Sequence, residues 1–263
     1  MISLEEIKQE LSYLDDHGFS FEGMVHPDTA LSHDSELNPK HYSISELLSW
    51  KLAAFKVPVN SEKPTVQPGE DSPNIFVNGI LTTMAMAKYQ RNFISSMIRQ
   101  PVDLIHNPTN GVVYDLLECA RDRVGTLPSE ASIICANLLK EKLSSHDKVR
   151  VFGYSQGGIL CARALGMLTG MIGQNEMHRI EFYSFAAGFR VFDAKGVYAE
   201  HFANTQDPVA KIGVLSKGKT LGKVFTRKER GHLLVGDYLK PIKDGEFGLK
   251  SRFYNLCNKG SGS

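Results

Sequence analysis

Residues 149–165 read VRVFGYSQGGILCARAL. An apolar run through Val149, Val151 and Phe152 leads into Gly153-Tyr154-Ser155-Gln156-Gly157, and a segment apolar nearly all round follows. This is a strand, a sharp turn and a buried helix carrying the G-x-S-x-G pattern. So tight a turn forces Ser155 into strained backbone angles and leaves no room for bulky side chains two residues to either side, which Gly153 and Gly157 satisfy. It lifts the Ser155 hydroxyl clear of the backbone, sets it at the positive end of the following helix, and directs the Gln156 N–H toward any negative oxygen developing nearby. The same five residues also fit a simple strand-to-helix turn with a capping serine. A bare G-x-S-x-G arises by chance in roughly one chain in ten of this length. The flanking strand and helix therefore carry more weight than the five letters.

Working outward, short apolar runs at 75–77, 102–106, 180–185 and 197–203 join that at 149–152 as predicted strands. Helical periodicity covers 83–97, 113–124, 130–143, 156–171 and 234–239. The strand candidates lack polar alternation, which suits a sheet covered on both faces, and their alternation with helices predicts parallel strands joined by right-handed crossovers. Residues 1–72 differ in texture. Two amphipathic helical patterns, 4–14 and 43–52, stand ahead of a Pro- and charge-rich stretch at 57–74 that reads as a surface connection. The expected organisation is a helical N-terminal extension over 1–72, packed on the core or lying over the site as a lid, a catalytic domain over 73–258, and a linker-like tail at 259–263.

Composition narrows the function. Lys+Arg 30 against Asp+Glu 29 gives a net charge of +1, so no global field draws the chain to nucleic acid or to an anionic membrane. A hydrophobic fraction of 42% over 263 residues is that of a folded chain. The opening MISLEEIKQE carries acids where a signal peptide has a basic and then an apolar stretch, and no apolar run is long enough to span a bilayer, so the expectation is a cytoplasmic protein. Cys119, Cys135, Cys161 and Cys257 are scattered among apolar residues and read as buried free thiols. His17, His26, His33 and His41 have no ligand spacing. No metal and no cofactor is expected. The basic stretch 217–230, KGKTLGKVFTRKER, reads as a solvated hairpin face or, since it leads into His232, as a surface favouring anionic substrates or lipid head groups.

Over residues 74–239 the chain resembles the α/β-hydrolases, lipase- and esterase-like members above all, and the local pair GYSQG and NTQDPV is similar to cutinases. Cutinases are shorter, secreted and disulfide-bonded, so cutin is not carried over as substrate. The resemblance implies an α/β three-layer sandwich with a mostly parallel central sheet and a nucleophile, acid and base in the order Ser, Asp, His. Ser155 is then the nucleophile. Asp207, in Asp-Pro-Val directly after a strand candidate, is the acid, with Asp193 as rival. Of the histidines after Ser155, His178 precedes a strand and His201 lies within one, leaving His232, in Arg-Gly-His-Leu-Leu ahead of a short helix, as the base; a solvated helix-cap histidine is the plainer reading of that residue. The oxyanion donors would be the backbone N–H groups of Gln156 and Ile80. In lipases His-Gly usually precedes the second donor; here Asn78-Gly79 stands there, and an Asn side chain can bridge loop backbone. A plain strand-end Asn-Gly turn is the other reading. Asn78, Gly79 and Tyr154 are expected to line the substrate pocket, and 106–111 faces the same rim. The substrate would be a small-molecule acyl ester or lipid; a membrane surface is not indicated, and oligomeric state is not legible. An acyl-thioesterase or acyltransferase shares the same acyl-serine step, and an inactive hydrolase-like binding module shares the fold.

Overall fold

A computed structural model describes residues 63–80, 82–108 and 128–259. The helical patterns at 4–14, 43–52 and 113–124, and with them the lid or docking role weighed for the N-terminal helices, lie outside the described residues, as do Cys119 and the four N-terminal histidines. Among the described residues the sheet has seven strands: β1 Thr65–Gln67, β2 Asn74–Val77, β3 Asp103–His106, β4 Val149–Tyr154, β5 Ile180–Phe185, β6 Tyr198–Asn204 and β7 Lys223–Arg227. They stand in the order β1-β3-β2-β4-β5-β6-β7. All neighbours pair parallel except β1, which runs antiparallel to β3 at the edge.

The central strands read as mainly apolar runs because both of their faces are covered. Successive side chains alternate between two cores. Ile75, Val77, Val149, Val151 and Phe182 point into one, with Cys135 and Leu139 of α2 (Glu130–Ser145) and Cys161 and Leu165 of α3 (Gln156–Met171). Phe76, Phe152, Tyr183, Phe185 and Phe202 point into the other, with Ile94 and Met97 of α1 (Met84–Ile98) and Phe253 from the C-terminal helix Arg252–Asn258. Helix, sheet and helix form the α/β-hydrolase-like three-layer sandwich. Helix starts follow capping chemistry: Thr83 Oγ1 accepts from the Met86 N–H at 3.2 Å and Ser129 Oγ from the Ser132 N–H at 3.3 Å. Cys135, Cys161 and Cys257 are buried free thiols.

Two strands correct the expectations. Thr65–Gln67 lies inside the stretch read as a surface connection, so the sheet begins before residue 73. Lys223–Arg227 lies inside the basic stretch read as a hairpin face, yet it pairs parallel with β6, Phe202 opposite Phe225, and makes no hairpin. As an edge strand it keeps Lys223 toward water, while Arg227 turns inward onto Asn204 and the Asp237 carbonyl, and the two charges hide its strand character. The segment Leu234–Leu239 is wound as a π-helix rather than an α-helix.

His201, rejected as a base because it sits within a strand, is fully buried in β6. Its Nε2–H donates to the Leu221 carbonyl at 2.9 Å, so its Nδ1 accepts from the Ser184 hydroxyl at 2.8 Å, with Phe182, Phe189 and Phe192 around the ring. Burial pulls its pKa from 6.5 down to about 4. Between those values the unfolded chain holds the extra proton and the folded chain does not. Stability is therefore full above about pH 6.5 and falls by about 3 kcal/mol as the pH drops toward 4. Thermal melts at neutral pH and near pH 4.5 should show this loss, and His201→Gln should shrink the difference between them; an unchanged difference would clear His201 of the role.

Candidate active site

The strand order reverses about β2, with β3 on one side and β4 on the other, and the C-terminal ends of β2 and β4 bound the crevice where open α/β sheets build sites. Ser155 stands there, between β4 and α3, at φ 55° and ψ −118°. That conformation is strained for any residue with a Cβ and costs on the order of 1–3 kcal/mol. It is held from three directions. The Ser155 N–H donates to the Phe185 carbonyl at the end of β5 at 2.9 Å, and its own carbonyl accepts from the Gly158 N–H at 3.0 Å. Behind it, Gly157 packs so close to the end of β2 that an added Cβ would come within 2.2 Å of the Val77 carbonyl oxygen. A side chain at Gly157 would push α3, and the serine with it, off the sheet.

His232 Nε2 lies 3.0 Å from Ser155 Oγ, and His232 Nδ1 lies 2.8 Å from Asp207 Oδ2. The three residues are almost wholly buried. Asp207 follows β6 and caps α4 (Pro208–Ile212): its Oδ1 accepts the Val209 N–H at 2.9 Å and the Ala210 N–H at 3.4 Å. Pro208 in the first turn suits this start, since its missing N–H is one the helix would leave unpaired. The bond from Nδ1–H to the carboxylate leaves Nε2 as an acceptor facing the serine hydroxyl. Asp193 is elsewhere, on the surface, 3.2 Å from Lys219 Nζ. His178 sits in the turn ahead of β5, at the opposite end of the strands.

On the other side of Ser155, the loop after β2 presses down on the elbow. A Cβ on Gly79 would lie 2.9 Å from the Ser155 Cβ, a close approach that only glycine permits. Asn78 is fully buried and bridges loop backbone: its Nδ2 donates to the carbonyls of Gly79 (2.8 Å) and Asn107 (2.9 Å), and its Oδ1 accepts the Asn107 N–H at 2.8 Å. Asn107 Nδ2 in turn donates to Gln156 Oε1 at 3.0 Å. These amides lock the ends of β2 and β3 to the first residue of α3. Gln156 occupies the helix start, where the α-helix itself offers its N–H no partner. Ile80 follows Gly79, half-buried against the α3 side of the core. Tyr154, expected in the substrate pocket, is brought instead to the histidine: its hydroxyl donates to the His232 carbonyl at 2.5 Å and its ring centroid lies 5.1 Å from the imidazole.

Sequence reasoning missed the residues that hold the histidine loop. Asn204, at the end of β6, donates from Nδ2 to the carbonyls of Gly231 and Asp237, both at 3.2 Å. Arg227 of β7 donates from Nε to Asn204 Oδ1 at 3.2 Å. Asp237 Oδ2 accepts the Leu233 N–H at 2.8 Å. Tyr238 donates its hydroxyl proton to Asp207 Oδ2 at 2.5 Å. Asn204 opens NTQDPV, and Asp237 and Tyr238 fall in the helical pattern at 234–239, but nothing in their spacing marks contacts some thirty residues apart in sequence. Among the described residues no cluster of His, Cys, Asp or Glu could hold a metal ion, and no helix is long and apolar enough to cross a membrane.

No family model and no curated protein matches the sequence. Similar solved structures include an esterase from Pyrobaculum calidifontis, 11% identical over 90% of this chain and 97% of that one, with a TM-score of 0.44. A Trichoderma reesei cutinase is 15% identical over 79% of this chain and 87% of that one, at a TM-score of 0.39. Aspergillus fumigatus lipase B is 10% identical over 84% and 77%, at 0.38. At such identities and scores the description of this fold rests on its own strand order and its own two cores.

Proposed function

We propose that the chain is a serine hydrolase that cleaves carboxylic esters through an acyl-enzyme, with Ser155 as nucleophile, His232 as general base and acid, and Asp207 orienting the imidazole. The observation that carries this reading is the unbroken relay from Asp207 Oδ2 through His232 to Ser155 Oγ, at 2.8 and 3.0 Å, ending on a serine held at φ 55°. A structural serine needs no imidazole, and a structural imidazole needs no strained serine.

As Ser155 Oγ attacks the ester carbonyl, its proton passes to His232 Nε2 while Asp207 steadies the imidazolium. The carbonyl oxygen becomes an oxyanion, and the N–H groups of Gln156 and Ile80 receive it, the first reinforced by the N-terminal end of α3. The tetrahedral adduct collapses, the bond to the alkoxy oxygen breaks, and His232 returns its proton to that oxygen as the alcohol leaves. Water, deprotonated by His232, then attacks the acyl-serine and the same steps release the acid. Asn78 and Gly79 shape the loop that presents the Ile80 N–H.

The test is a fluorophosphonate probe followed by a substrate panel. Stoichiometric labelling and turnover of p-nitrophenyl esters of graded chain length are expected. Turnover of acyl-CoA substrates in place of the esters would move the assignment to a thioesterase or acyltransferase; a chain that neither labels nor turns over either set would be a binding module.

A further inference from the structure

Tyr238 closes the acid end of the relay. It sits on the π-helical turn six residues past His232, fully buried, its ring stacked on Phe247 at 5.8 Å between centroids. Its oxygen has two partners. The Asn204 backbone N–H lies 3.1 Å away and can only donate, so the tyrosine oxygen accepts there. Its single proton therefore goes to Asp207 Oδ2 at 2.5 Å, the oxygen that also receives His232 Nδ1–H at 2.8 Å. With Oδ1 taking the N–H groups of Val209 and Ala210, the carboxylate accepts four hydrogen bonds and has no rotation free. Burial, reinforced by the Asp207 charge, pushes the Tyr238 hydroxyl well above the usual phenol range, so the proton stays in place as a donor.

A donor on a carboxylate oxygen draws off charge and weakens that carboxylate as a base. Resting on the proposed relay, we infer that Tyr238 is a positioning residue that both aims Asp207 and tempers it, so that the His232 imidazole is oriented without being trapped as imidazolium at a pH where it must accept the serine proton. The other titratable groups packed around the pair have hydrogen-bond partners of their own, and the Tyr154 hydroxyl adds to the push that raises Tyr238. Tyr154, from β4, gives its hydroxyl proton to the His232 carbonyl. Asp237, on the same turn, accepts from the Leu233 N–H. Arg227, from β7, spans to Glu246 at 2.6 Å and to the Asp237 carbonyl at 3.3 Å.

The experiment is the pH profile of kcat/KM on a small soluble ester. Tyr238→Phe should move the acid limb to higher pH by about half a unit and lower kcat about tenfold, with KM changed less than about twofold. Substituting 3-fluorotyrosine and then 3,5-difluorotyrosine at the same position keeps the shape and strengthens the donor, and the acid limb should then step to lower pH. A merely structural tyrosine would lower stability and the active fraction, counted with the fluorophosphonate, and leave the limb where it was. A limb unmoved across the fluorinated series overturns the inference, and that series decides the matter even where the phenylalanine variant fails to fold. Ser155→Ala run in parallel separates two failures. If it retains activity, the relay reading itself falls; if it is inactive while the fluorinated series is flat, only the role of Tyr238 falls.

Discussion

Ser155→Ala is expected to abolish fluorophosphonate labelling and to lower kcat for ester hydrolysis by on the order of 10⁴ or more. The loss should be in kcat rather than in folding. Alanine carries the same Cβ into the same φ of 55°, and the helix, the His232 loop and the Gly79 approach are otherwise untouched, so the melting temperature should stay within a few degrees of the parent. Reaction rate and labelling should fall together. A variant that still labels in full would show that another nucleophile carries the chemistry.

Asp207→Asn should cost about as much, on the order of 10⁴ in kcat near neutral pH, for a different reason. The Val209 and Ala210 N–H groups require an acceptor, so the amide oxygen takes the place of Oδ1 and the NH2 turns toward His232 Nδ1. Facing a donor, Nδ1 gives up its proton and Nε2 carries it instead, so the imidazole meets the serine hydroxyl with a hydrogen rather than a lone pair. The helix cap survives this exchange, but the buried Tyr238 hydroxyl proton loses its acceptor, so stability should fall by about 1–3 kcal/mol. Asp207→Ala loses the cap as well and should cost a further 0.5–2 kcal/mol or so. Melting curves beside ester turnover read both effects. An asparagine variant retaining more than about a tenth of the parent activity would remove Asp207 from the relay.

The parts of the molecule legible in the sequence are those where local chemistry and the fold agree. Strands β2 to β6 are covered on both faces, so each shows as an apolar run in its own right, and Gln156–Met171 follows its glycine-flanked turn without a break in pattern. Of Asp207 and His232, which the resemblance implied as acid and base, the histidine lies within hydrogen-bonding reach of both the carboxylate and Ser155. Where reading failed, the deciding interaction was remote. The three residues of β1 are too short for periodicity to register, and their strand state comes from pairing with β3, some forty residues on. Strand β7 has one face on the core and open water at its edge, so charge dominates its composition. Tyr154 looked like a pocket residue because it neighbours the nucleophile; strand alternation instead turns it to the face where the His232 loop returns. Tyr238 was visible as the end of a helical pattern, but its partner Asp207 is thirty-one residues earlier in the chain and on another element.

The strain at Ser155 also bears on how such a chain can change over generations. A glycine at position 155 would relieve the positive φ and gain folding free energy, while ending any serine chemistry. Selection for folding alone therefore pulls this position toward glycine, and a lineage that no longer needed the reaction would drift there readily, keeping the sheet and both cores. A return is uphill, since it must pay in stability before any activity is restored. The residue at the elbow thus works as a ratchet: folding alone favours glycine there, and a serine persists only against that pull.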